Sequence, residues 1–224
     1  MRSFKMKALL IDYDGTLALV DEDEFAEAYF FSLNVFMVEQ YRIALDHFEI
    51  LDCVAQITRC ADGTTNNYDR FLKCLSNKFE RFDWKSVFES FYASEEFDRL
   101  RELVRPNDKA IELFKRAKES GLVVVLATNP IFPKSATEKR LEWIGLSLSD
   151  FNHVTFMENS HYCKPDPRYF LEICRNVSVE PKDCLMVGND ALLDGACTSV
   201  GMKYKPVELF SKDGKENLRD WLFE

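Results

Sequence analysis

Three short apolar runs stand out along the chain because none of them alternates: Ala8-Leu9-Leu10-Ile11, Leu122-Val123-Val124-Val125-Leu126 and Cys184-Leu185-Met186-Val187. A strand covered by helices on both faces has no polar face, so unbroken apolar runs of this length predict buried parallel strands. At the second run, the β-branched residues Val123 to Val125 and the turn residue Gly121 favour strand over a buried helical segment. Between the runs the period becomes that of a helix. Asn107 to Ser120 places Ala110, Ile111, Leu113, Phe114 and Ala117 on one face, with Gly121 as a C-terminal stop. Helices are also predicted over Pro133 to Ile144, over Pro167 to Val177 and over Lys215 to Leu222. Pro167 suits a first helical position after Asp166. Strand and helix in alternation predict an α/β fold, a doubly wound parallel sheet.

From about Leu17 to Leu103 that rhythm breaks, and no convincing strand pattern is found. Long amphipathic helical stretches replace it. Glu22 to Phe48 carries Phe25, Tyr29, Phe36, Met37 and Ile43; Asp69 to Phe82 carries Phe71, Leu72, Leu75 and Phe79; Asp83 to Leu100 carries Trp84, Val87, Phe88 and Phe91. This is too long for a simple connection between strands. It predicts an all-helical cap domain over residues 18–103, inserted after the first strand of a core made of residues 1–17 and 104–224. Hinges between the two are expected near Leu17 to Val20 and near Arg99 to Arg105. The cluster Asp21-Glu22-Asp23-Glu24 lacks the spacing of a calcium loop and reads as acids in the first turn of a helix, where they suit its dipole.

Composition narrows the function. A net charge of -9 repels nucleic acid and anionic membranes, so neither is an expected partner. No apolar run is long enough to cross a bilayer. The basic residues Arg2, Lys5 and Lys7 precede an apolar run that stops at Asp12, so no secretory signal is expected. The seven cysteines, an odd number without Cys-x-x-Cys or zinc-type spacing, read as reduced thiols of a cytoplasmic protein.

Polar residues recur where the apolar runs end. Asp12-Tyr13-Asp14-Gly15-Thr16 follows the first, Thr128-Asn129 the second, and Gly188-Asn189-Asp190 the third, with Asp194 four residues on. The carboxyl ends of parallel strands share one edge, where ligands bind. These groups are therefore expected to converge, although more than a hundred residues separate them. Asp12, Asp14 and Asp190, with Asp194 as a further candidate, would repel one another without a cation. Magnesium suits them, because it accepts a few carboxylates and keeps other positions for water or phosphate oxygens. It would also shield a phosphate dianion from an acidic site. Lys164 offers a second positive charge.

The same residues resemble the haloacid dehalogenase-like hydrolase superfamily. Asp12-Tyr13-Asp14-Gly15-Thr16-Leu17 resembles its first motif, Leu126-Ala127-Thr128-Asn129 its second, Lys164-Pro165-Asp166-Pro167 its third and Gly188-Asn189-Asp190-Ala191-Leu192-Leu193-Asp194-Gly195-Ala196 its acidic fourth. A helical insert just after the first motif resembles the family's C1 type of cap. The resemblance implies a magnesium-dependent phosphohydrolase acting on a small phosphorylated metabolite. Asp12 would be the nucleophile, forming an aspartyl-phosphate, and a metal ligand. Asp14 would protonate the leaving alcohol and then activate water. Thr128 and Asn129 would bind the phosphoryl group, Lys164 would offset its charge, and Asp190 would complete the metal site. Asn189 stands where many members have Asp, which makes Asp190 and Asp194 the acidic pair here. Relatives that attack carbon–halogen bonds lack an acid at the place of Asp14, so dehalogenation is disfavoured.

Two other activities fit the same scaffold. A mutase would hand the phosphoryl group to a sugar hydroxyl, and no feature of the insert favours it. A phosphonate-cleaving relative would need a cap lysine, and Lys73, Lys78 and Lys85 sit in no recognisable motif. A catalytically silent binding module is opposed by the intact acidic set. His47, His153, His161 and Cys163 show no partner pattern and receive no role.

Overall fold

The computed structural model describes residues 6–212, so the helix expected over Lys215 to Leu222 lies outside the described residues. In chain order the elements are β1 (Ala8–Ile11), β2 (Ala18–Leu19), α1 (Glu22–Tyr41), α2 (His47–Arg59), α3 (Asn67–Lys78), α4 (Trp84–Tyr92), α5 (Glu95–Asp98), β3 (Arg105–Pro106), α6 (Asp108–Glu119), β4 (Val123–Leu126), α7 (Lys134–Trp143), β5 (His153–Val154), α8 (Pro167–Val177), β6 (Cys184–Gly188), β7 (Lys203–Pro206) and α9 (Val207–Lys212). Short 3₁₀ turns link several of them.

Five strands form one parallel sheet in the order β5-β4-β1-β6-β7. The three expected strands are its centre. All four residues of β1 are buried, and they alternate between two cores: Leu9 and Ile11 join one, Ala8 and Leu10 the other. Helix α6 covers the first face through Leu113 and Phe114, and α8 covers the second through Tyr169, Phe170 and Ile173. This is the doubly wound α/β sheet expected from the unbroken apolar runs. The predicted helix ends also hold. Asn107 caps α6 by accepting from Ala110 N, and Gly121 follows with φ 75°. Pro167 opens α8 behind the cap Asp166.

Between β2 and β3 every regular element is helical among the described residues. Here the structure corrects three expectations. The stretch Glu22 to Phe48 is not one helix: α1 ends at Tyr41, Arg42 turns the chain at φ 61°, and a separate α2 begins at His47. Asp83 to Leu100 divides into α4 and α5, because Ser94 caps a new start by accepting from Phe97 N. Ala18–Leu19 is a strand, pairing antiparallel with Arg105–Pro106 in a two-residue ribbon where the chain leaves the sheet region and returns. Asp21 caps α1 through Asp23 N and Glu24 N, which accounts for the acidic cluster as a helix start.

The cysteine expectation is corrected as well. Cys53 of α2 and Cys74 of α3 form a disulfide, because the packing of those helices brings their Cα atoms to 5.6 Å. Cys60, Cys163, Cys174, Cys184 and Cys197 are free. Aromatic side chains dominate the helical segment between β2 and β3: Phe25, Tyr29, Phe88, Phe91 and Phe97 belong to the same apolar cluster as Leu9 and Ile11. Among the described residues, no helix is long and apolar enough to cross a membrane.

Candidate active site

Because β1 lies between β4 and β6, the loops leaving the carboxyl ends of these three strands are neighbours. Asp12 is the first residue beyond β1 and is buried, at 7% exposure. Its Oδ1 accepts a hydrogen bond from Lys164 Nζ at 2.8 Å, and the same ammonium donates to Asp194 Oδ1 at 2.5 Å. One cation thus ties the loop after β1 to the loop after β6. Burial, with the charges of Asp194 and Asp14, pushes the Asp12 carboxyl up to about 7, although Lys164 pulls it down. Burial also opposes the charge on Lys164, but Asp12, Tyr169 and Asp194 overcome it and hold the ammonium above the usual lysine range.

The loop after β6 is shaped around Asp194. Its Oδ2 accepts from Asp190 N at 3.2 Å. A Cβ on Gly188 would collide with the Asp194 carboxylate, so a glycine ends the strand where that group must fit. Asp190 turns part of its carboxylate back on its own loop, with Oδ1 accepting from Leu192 N at 2.7 Å and Leu193 N at 3.0 Å. Asn189 meets the first motif, its Oδ1 accepting from Thr16 Oγ1 at 3.3 Å. Gly15, at φ 64°, leaves room for the Asn189 amide where a side chain would clash.

Asn129 adjoins Lys164, and Thr128 precedes Asn129 in the turn after β4. Asn129 Oδ1 accepts from Lys164 N at 3.1 Å and so fixes the backbone that presents the ammonium. The Thr128 carbonyl accepts from Thr155 Oγ1 at 2.7 Å and from Tyr169 Oη at 2.8 Å, which anchors the turn after β4. Asp14 goes elsewhere. Its carboxylate is ion-paired with Arg140 Nη2, and the Arg140 guanidinium carbon lies 4.4 Å from the ring centre of Tyr13, 4.8 Å from that of Phe132 and 5.2 Å from that of Phe25. The arginine is buried, held by ring faces and a single carboxylate.

Asp12 and Asp194 therefore meet on Lys164, with the Asp190 backbone bound to Asp194 and Asn129 bound to the Lys164 backbone, while Asp14 faces Arg140. Among the described residues, no three His, Cys, Asp or Glu side chains are gathered closely enough to make a metal cluster by themselves. Two neighbours were not foreseen. Arg140 sits in a charged helix that reads as a solvated surface, yet Ala136, Thr137, Arg140 and Leu141 form its buried stripe, and that i, i+4 pattern was the available signal. Glu22 hydrogen-bonds Asn189 and is pushed above the usual carboxylate range, first by burial and then by Asp14. Nothing in an acidic first turn marks that contact. Cys163 is pushed up to about 12, chiefly by burial, and accepts from Asn67 Nδ2 at 3.3 Å, which is the setting of an inert thiol. His161 pairs with Glu172 at 2.5 Å.

A family model described as haloacid dehalogenase-like hydrolase matches residues 6–194. The chain belongs to that family. The match runs from the residues just before β1 to Asp194, so it takes in the whole constellation above, and the haloacid dehalogenase-like chain is a hydrolase. Solved structures share its fold. CbbY from Rhodobacter sphaeroides in complex with phosphate aligns at 18% identity with a TM-score of 0.58, over 90% of this chain and 85% of that one. A haloacid dehalogenase-family enzyme from Bacteroides thetaiotaomicron, in complex with magnesium and inorganic phosphate, aligns at 14% identity with a TM-score of 0.56, over 90% and 93%. A putative β-phosphoglucomutase from Thermotoga maritima aligns at 21% identity with a TM-score of 0.53, over 89% and 84%. No curated protein matches the chain.

Proposed function

We propose that this hydrolase is a phosphatase that transfers the phosphoryl group of a small phosphate monoester first to Asp12 and then to water. The observation that carries the reading is the meeting of Asp12 with Lys164 at the carboxyl edge of the sheet. A carboxylate beside an ammonium is suited to be a nucleophile with a partner for incoming negative charge. An Asp12 oxygen attacks phosphorus as the ester P–O bond breaks, and Asp14 gives a proton to the departing alkoxide. Water then attacks the aspartyl-phosphate, Asp14 takes its proton, and inorganic phosphate leaves. Both acid–base roles require Asp14 to part from Arg140 and turn toward the reacting oxygen.

The donor set suits a magnesium ion. Asp12, Asp14, Glu22, Asp190 and Asp194 bring five carboxylates against the two cations Arg140 and Lys164, and a phosphate dianion adds to the excess. Asp12 and Asp190 would hold the ion through hard oxygens, Asp14 would join on leaving Arg140, and Asp194 is committed to Lys164 and to Asp190 N. When bound, the ion supplies charge neutralisation for the phosphoryl oxygens. The magnesium in the Bacteroides thetaiotaomicron enzyme's complex supports this choice. Residues 18–103 would act as a cap domain over the site, moving about the β2–β3 ribbon. The test is release of inorganic phosphate from a panel of phosphate esters with magnesium. Turnover that is lost in Asp12→Asn is expected, and equal phosphate release by the two proteins would end the proposal.

A further inference from the structure

The reading above leaves the alcohol half of the substrate open, and the insert speaks to it. A cavity of about 240 Å3 lies among α1, α2, α3 and α4 and the segment Ile131-Phe132-Pro133. Among the described residues lining it, the charged side chains are Asp14, Glu22 and Arg140, which places the proton-transferring residue of the proposed reaction in its wall. The rest of the lining is aliphatic or aromatic, with Phe25, Phe71, Phe88 and Phe132 prominent.

Some polar atoms of that wall are paired within the protein, and one, the buried Arg140 Nε, has no hydrogen-bond partner. Tyr29 and Tyr92 share a hydrogen bond between their hydroxyls at 2.9 Å. Asp14 is held by Arg140, and Glu22 by Asn189. Beyond the Arg140 guanidinium, the two carboxylates and the tyrosine hydroxyls the lining side chains are carbon, so a polyhydroxylated alcohol entering here would give up more hydrogen bonds to water than it regains, an unfavourable exchange. A hydrocarbon would gain contacts with rings on several sides. Apolar cavities of about 150 Å3 stay dry and accept benzene, so this one has room for a ring with several further carbons. An apolar cavity this large with Asp14 in its wall is the natural place in the molecule to seat a ligand.

We infer that the ester cleaved carries a hydrophobic leaving group, an aryl or alkyl alcohol of roughly ten non-hydrogen atoms, seated in this cavity with its ester oxygen toward Asp14. The inference rests on the phosphatase reading. Its test compares 2-phenylethyl phosphate with glucose 6-phosphate, both primary alkyl esters of similar intrinsic reactivity, by phosphate release with magnesium and with Asp12→Asn as blank. A kcat/KM at least about 30-fold higher for 2-phenylethyl phosphate is expected, from burial of a phenyl-sized surface. Val54→Trp, which fills the cavity, is expected to lower that ratio at least about ten-fold. Ala26→Trp, at an exposed lining position that cannot disturb the core, should lower it in the same direction. Equal or faster turnover of glucose 6-phosphate would overturn the hydrophobic leaving group and leave the phosphatase reading intact. Loss of Asp12-dependent release from both esters would count against the phosphatase reading instead. Calorimetric binding of 2-phenylethanol then decides the cavity: saturable binding abolished by Val54→Trp supports it, and no binding at millimolar concentration overturns it.

Discussion

The two halves of the candidate site are built in opposite ways. At the sheet edge, charged side chains from distant loops are pinned to one another: Lys164 to Asp12 and Asp194, Asn129 to the Lys164 backbone, Asp194 to Asp190 N. In the helical insert, the wall is a set of rings packed edge to face, such as Tyr29 against Phe91 and Tyr92 against Phe97. Hydrogen bonds fix atoms in place, whereas ring packing fills volume and tolerates exchange of one apolar group for another. On the proposed reading, the chemistry would sit where geometry is rigidly specified, and the choice of substrate where a few substitutions can reshape a surface without altering those bonds.

That contrast is broken or sharpened most strongly by Asp12→Asn. Phosphate release should fall at least about a thousand-fold, as for removal of other nucleophiles, while circular dichroism shows the fold retained. Next comes Lys164→Met, which leaves two buried carboxylates without their ammonium; urea denaturation should show a loss of about 3–5 kcal/mol. Asp194→Asn in the same chain should recover part of it. Phe97→Ala, in the helical segment but outside the cavity wall, should lose a comparable amount, about 3–5 kcal/mol, through the space left in the aromatic core, yet retain Asp12-dependent turnover at low temperature. Should Phe97→Ala abolish turnover in a folded protein, the division between the two regions is false. Gly188→Ala should cost about 1–3 kcal/mol and weaken activity, since its new methyl displaces Asp194. The smallest effect is expected from Tyr29→Phe, about 1 kcal/mol in the same denaturation, because its hydroxyl meets only that of Tyr92.

The same division governs what the sequence reveals. The strands β1, β4 and β6 were legible because burial on both faces leaves an unmistakable apolar run, and the residues just beyond each run proved to be neighbours. The edge strands were not. β5 has two residues, and β7, Lys203-Tyr204-Lys205-Pro206, is half-buried with a polar composition. The break after α1 escaped notice because Arg42 adopts a left-handed turn without glycine or proline to announce it. The disulfide was hidden for a related reason: Cys53 and Cys74 meet only once α2 and α3 are packed, and nothing in their 21-residue separation marks them as a pair. Arg140 is the costliest omission. It lies between Lys139 and Leu141 in a segment rich in charge, where a solvated side chain is the ordinary reading. The ring faces that receive it come from Tyr13, Phe25 and Phe132, three places that only the folded chain assembles.

The short ribbon of Ala18–Leu19 against Arg105–Pro106 brings the two ends of the insert side by side. Seen from the sheet, the whole helical segment is a single long excursion closed at its neck. None of the residues beyond that neck takes part in the register of β1 against β4 and β6, so the strand pairing itself sets no barrier to exchange. The barrier is instead the apolar cluster shared by Leu9, Phe25 and Phe88, which any replacement would have to cover. A lineage diversifying from this chain would thus be free to change what the helices recognise, provided their underside stayed greasy.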